Sequence, residues 1–190
     1  MEIGTKTFDS QQGAQWDVKS CVRCIAGLNF DKTCLPDGVE FLPKGVVLAK
    51  KLTSTGYKAV LVKTAVVHEN AAKDATTLKI KKGHAYLVGE KIAGSTISAI
   101  DTSNTDYDAL TVGALAKAVT ANTVVNDDNV DNIVGLNYAR TKMDAYPTVT
   151  YTIQAYEIDE STLPFPINDT IKEKLTSRHH YALDFTSHSS

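Results

Sequence analysis

Three cysteines stand close together in this chain, at Cys21, Cys24 and Cys34, a C-x2-C-x9-C spacing that invites zinc. A structural zinc site asks for a closed tetrahedral set of ligands. No fourth cysteine follows, and the nearest histidine, His68, stands beyond a predicted strand. The odd count also leaves any disulfide set incomplete. The three are therefore read as reduced or buried thiols. Asp101, Asp106 and Asp108 raise calcium, because hard cations take clustered carboxylates. Their spacing misses the calcium loop with its central glycine and terminal glutamate, so they read as turn formers. Residues 126–131, NDDNVD, read the same way. His84 follows Lys82-Gly83 and reads as a strand-end side chain, with no serine singled out as a nucleophile for it. His179-His180 sit in a polar tail, a poor setting for a base. Neither a phosphate loop nor a dinucleotide fingerprint occurs. The expectation is no catalytic residue, no cofactor and no metal.

Trp16, the sole tryptophan, stands in the first twenty residues with the chemistry of an anchor. Around it the sequence is polar, glutamine- and glycine-bearing and without period, which predicts an extended arm. A tryptophan there is an interface anchor or a plug for the chain's own barrel. The expectation is that the arm orders on a partner or a sister subunit and that Trp16 fills a pocket there.

The elements that carry these residues are short. Of the 190 residues, 43% are hydrophobic, enough for a core, and the formal net charge of −2 leaves a nucleic-acid role without its electrostatic footprint. The apolar runs fall well short of a membrane span. The N-terminus lacks the basic and apolar regions of a secretory signal, so the expectation is a soluble chain made in a cytoplasm. Pro36-Asp37-Gly38 is a turn, Pro43-Lys44-Gly45 launches Val46-Val47-Leu48-Ala49, and Thr55-Gly56 turns a hairpin. Residues 57–67 are β-branched and long enough for two strands or a bent one. Leu78-Lys79-Ile80 alternates with period two. Residues 114–119, ALAKAV, predict a helix on the Leu115–Val119 spacing. Residues 148–158 predict a strand with Val149, Tyr151, Ile153 and Ala155 on one face. Asn168 is placed to cap a short helix over 169–175.

Short strands cut by turn signals predict a mainly β fold. It is a small β-barrel or β-sandwich with one or two short helices and an extended N-terminal arm. The predicted division is an arm and cysteine-bearing segment over 1–39, a β-rich domain over 40–176 and a tail over 177–190.

Pro43-Lys44-Gly45-Val46-Val47-Leu48, Gly56-Tyr57, Gly83-His84 and Val88-Gly89-Glu90 are followed by Ile97-Ser98-Ala99-Ile100-Asp101 and Tyr107-Asp108-Ala109-Leu110-Thr111-Val112. This pattern resembles the head decoration, auxiliary capsid and head-fibre proteins of tailed bacteriophages, particularly those of gut Bacteroides-type phages. The later Ala155-Tyr156-Glu157-Ile158 and Leu163-Pro164-Phe165-Pro166 are similar to the closing strand and proline exit of such proteins. The resemblance spans about residues 40–175. It implies a virion protein without catalysis, bound in many copies to the major capsid protein and with a trimer or another self-assembly as a further expectation. No nucleic acid and no membrane are expected as partners. A carbohydrate-binding or adhesion module is the alternative, which would want clustered exposed aromatics where these tyrosines are scattered. A small hydrolase on a β scaffold is a third class.

Overall fold

The computed structural model describes residues 14–16, 19, 21–176 and 182–186, the last five by backbone alone. The chain is mainly β, with a curled half-barrel sheet and one α-helix among the described residues.

The half-barrel starts from the apolar run Val46-Val47-Leu48-Ala49. A run without polar interruption suits a strand buried on both faces. That is how β4 (Val47–Thr53) and β5 (Gly56–Leu61) begin and end their antiparallel pairing, with Leu48 opposite Leu61 and Ala49 opposite Val60. Leu48, Ala59 and Leu61 enter one core, while Val47, Ala49 and Val60 enter another on the opposite face. Two residues, Ser54 and Thr55, close the hairpin. On the other side of β4 lies β12 (Ile133–Leu136).

The circuit continues through isolated bridges. Phe30 bridges to Ala59 just after β2 (Leu28–Asn29). That strand pairs with β14 (Thr148–Val149), and Asn137 bridges to Tyr151. Inside lie Phe30, Leu35, Leu42, Leu48, Leu61 and Val149. β3 (Phe41–Leu42) and β13 (Thr141–Lys142) pair beside it. β1 (Val22–Arg23), β15 (Thr152–Asp159) and β16 (Ala182–Thr186) form a further sheet, antiparallel on one side and parallel on the other.

The second core is covered by α1 (Asp169–Thr176), whose Ile171 and Leu175 are four apart and buried. Asn168 caps it as the sequence predicts, its Oδ1 accepting from the Ile171 amide at 3.0 Å.

Residues 64–126 leave the half-barrel and build a third core. β6 (Thr64–Val66) pairs with β11 (Val124–Asn126) at the junction. Beyond it β7 (Thr77–Lys81), β10 (Tyr107–Val112), β9 (Ser95–Asp101) and β8 (Lys91–Ile92) form one sheet in that order. Leu78, Ile80, Ile97 and Leu110 line its buried face and Thr77, Lys81, Thr96 and Thr111 its wet face.

Four expectations are redrawn. Residues 114–119 are not a helix. Val119 exchanges backbone hydrogen bonds with Ala71 at 2.8 Å each way, and the Leu115 amide donates to Ala75 at 3.1 Å. Tertiary pairing outweighs a six-residue propensity. The alternation over 148–158 also breaks. Thr152 is buried on the face expected to be polar, its hydroxyl shared with the Leu136 backbone, and Glu157 takes φ +55° before Ile158 re-enters the core. Residue 39 is not a structural boundary, because Phe30 and Leu35 fill the first core and Val22 pairs with Gln154. The tail drawn from 177 contains β16.

Candidate functional site

Trp16 is held by its own chain. The Ala14 amide donates to Lys44 O at 3.2 Å, the Gln15 amide to Thr162 Oγ1 at 2.9 Å, and the Asp159 amide to Gln15 O at 3.1 Å. These bonds lay residues 14–16 across the second core as a strap, leaving Trp16 only 7% exposed. Lys44 Nζ sits 3.8 Å from the ring centroid, a cation–π contact. The ring thus occupies the plug position of the two the sequence allows. Residues 1–13 lie outside the described residues, as do His179 and His180.

Gly45 makes the strap possible. It takes φ +88°, and a Cβ built there would overlap the Ala14 Cβ. Gly38 has a similar φ, +82°, with nothing near its would-be Cβ. Gly45→Ala is therefore expected to displace the strap, and Gly38→Ala to cost only the backbone strain. Trp16 is the sole tryptophan, so its emission reads the strap directly. A red shift in Gly45→Ala alone is expected; equal spectra in the two variants would refute the strap.

The cysteines are dispersed over different surroundings. Cys34 packs against both the first and second cores, its Sγ donating to Asp31 O at 3.0 Å, and burial pushes its thiol up to about 11. Cys24 is held below the usual thiol range, chiefly by a hydrogen bond from Tyr151. Cys21 packs at the second core. Among the described residues no group of three His, Cys, Asp or Glu is arranged to hold a metal. Asp101 forms a turn, accepting from the Ser103 amide at 3.0 Å. Asp106 instead gives its amide to Asn104 Oδ1 at 2.9 Å.

The structure brings together a polar cluster where residues 63–66 leave the half-barrel. Lys63, 1% exposed, places Nζ 2.6 and 2.7 Å from the two carboxylate oxygens of Glu90. Glu90 also accepts from the Leu87 amide at 2.8 Å. The Tyr86 hydroxyl donates to Lys63 O at 2.9 Å, and the Lys63 amide donates to Asp127 Oδ2 at 3.2 Å. Burial raises the Asp127 carboxyl to about 6 and holds the Tyr86 phenol well above its ordinary value. On β10, Asp108 is fully buried between the Lys82 ammonium and His84 Nε2, the latter at 3.0 Å. His84 Nδ1 accepts the Tyr86 amide at 3.1 Å, which puts the ring proton on Nε2, facing Asp108. Burial lowers the His84 pKa, with Asp108 acting against it.

The chemistry of this cluster is cross-linking. A general base offers its lone pair to a substrate, whereas the His84 lone pair is taken by a backbone amide. Lys63 and Glu90 tie the 84–90 loop to the strand leaving the half-barrel. Sequence reading passed over Lys63, met Glu90 only within the Val88-Gly89-Glu90 pattern and took Asp127 for a turn former, which it also is, accepting the Asn129 amide. A signal was present in Lys63 itself, a charge inside the run Tyr57-to-Val67, since a lysine in a doubly buried strand must find a buried partner.

The β4–β5 hairpin carries an exposed apolar pair. The far half of the β4–β5 hairpin leaves the body, and Leu52 and Tyr57, directly opposite each other, are 67% and 55% exposed. Lys50 Nζ lies 4.1 Å from the Tyr57 ring centroid. No helix among the described residues is long and apolar enough to cross a membrane. No family model, curated protein or solved structure matches this chain.

Proposed function

We propose that this chain is a structural virion protein that decorates or stabilises a tailed-phage capsid by binding the major capsid protein in many copies, without enzymatic turnover. The observation that supports it most is how the buried charges are used. Lys63 closes on Glu90 and so ties the half-barrel to the lobe over 64–126, while Asp108, closed on Lys82 and His84, holds that lobe together from inside. A coat accessory needs such a rigid β body and a surface that repeats weak contacts over a lattice. The sequence resemblance to head decoration and head-fibre proteins points the same way and implies a position on the virion surface.

The test is assembly of heads with and without the chain, alongside mass spectrometry of purified virions. Heads carrying it are expected to survive osmotic and thermal stress that bursts bare heads. Equal survival, with the chain absent from virions, would overturn the reading.

A further inference from the structure

The stretch 44–67 holds five lysines and no carboxylate, in a chain whose formal net charge is −2. Two of the five, Lys44 and Lys63, are used inside the fold, on the Trp16 ring and on Glu90. The other three, Lys50, Lys51 and Lys58, ride on the projecting half of the hairpin, and none is in an ion pair among the described residues. Lys51 and Lys58 are direct cross-strand partners. Like charges placed opposite one another destabilise a hairpin, and no ion pair among the described residues offsets them.

The other face of the hairpin is equally unfinished. Leu48, Leu61 and Ala59 line the first core, and the same face runs outward as Lys50, Leu52 and Tyr57. A core-lining face thus extends past the body, with Leu52 and Tyr57 each more than half exposed and Lys50 Nζ over the Tyr57 ring. The tip itself is polar. Thr53, Ser54, Thr55 and Gly56 form it, with Thr53 Oγ1 donating to Gly56 O at 2.6 Å. The apolar pair lies on the flank of the hairpin, behind this tip.

We propose that the exposed half of the β4–β5 hairpin is a docking element whose occupant is an acidic protein surface with a shallow apolar recess. This rests on the reading above, under which that surface belongs to the coat. Charge complementarity selects an anionic partner, and the Leu52–Tyr57 pair selects one with an apolar recess. A lipid surface fits less well, because the polar tip would enter the hydrocarbon ahead of the apolar flank. A nucleic acid wants a longer cationic track than three lysines provide.

The experiment uses the full chain and shells assembled from the major capsid protein alone. Leu52→Ser with Tyr57→Ser, and Lys51→Glu with Lys58→Glu, are compared with a charge-matched control, Lys73→Glu with Lys117→Glu, two exposed lysines elsewhere. Trp16 emission verifies folding of each. The wild type is expected to bind saturably and more weakly as salt rises. Each hairpin variant is expected to lose about tenfold or more in affinity, and the control to bind as wild type. Wild-type affinity in both hairpin variants would overturn the docking element while leaving the coat-binding reading intact. Failure of the wild type itself to bind shells would overturn that reading and the proposal with it. Tighter binding to phosphatidylglycerol vesicles or to duplex DNA than to shells, or loss only of self-association in sedimentation, would overturn the occupant.

Discussion

Gly135→Ala is expected to cost about 4 kcal/mol or more, among the largest losses of any single substitution in this chain. Gly135 lies in β12 at φ +154°, a backbone region that side chains rarely enter. A Cβ there would overlap the Thr152 carbonyl oxygen, and the Tyr151 ring stands only 3.2 Å away. The obstruction is backbone, so no rotamer change relieves it. The same approach lets Thr152 Oγ1 accept the Leu136 amide at 3.2 Å, joining β12 to β15. Chemical denaturation should show a large fall in midpoint, or no cooperative transition. A loss under about 1 kcal/mol would mean that β12 and β15 do not approach so closely.

Lys63→Met is expected to cost about 3–5 kcal/mol, the usual result of removing one partner of a buried ion pair. Glu90 would keep its charge against the lobe with only the Leu87 amide and partial solvent to hold it, its side chain being 28% exposed. Adding Glu90→Gln should recover much of that loss. The glutamine can still accept the Leu87 amide, and no uncompensated charge is left behind. Denaturation of the two single variants and the double variant gives the coupling directly. Additive losses would show that Lys63 matters for packing alone.

Much of the strand content was legible in composition and spacing. Leu78 and Ile80 announce a half-buried strand by alternation, and both are fully buried on one face of β7. Asn168 announces its helix because a capping side chain works within one turn. Residues 57–67 read as two strands or a bent one, and they divide at Val62-Lys63 into β5 and β6. Where reading along the chain went astray, a distant partner had changed the local answer. Residues 114–119 look helical until Ala71 and Ala75 take their backbone groups. Thr152 looks solvent-facing until Leu136 claims its hydroxyl.

The candidate sites divide along the same line. That Trp16 is an anchor follows from its isolation in a polar stretch, but what it anchors to depends on Gly45 being bare enough for Ala14 to lie against it. That Asp108 is not a turn former depends on Lys82 and His84 arriving 26 and 24 residues away in sequence. The sequence by itself determined the mainly β class, the hairpin, its turn read at Thr55-Gly56 one residue from the Ser54-Thr55 loop, and the helix cap at Asn168, because these rest on side-chain periodicity and short-range hydrogen bonds. Only the tertiary structure decided that there are three cores, that Lys63 closes on Glu90 and that Lys51 faces Lys58, because burial and cross-strand register are properties of pairs that the order of residues does not bring together.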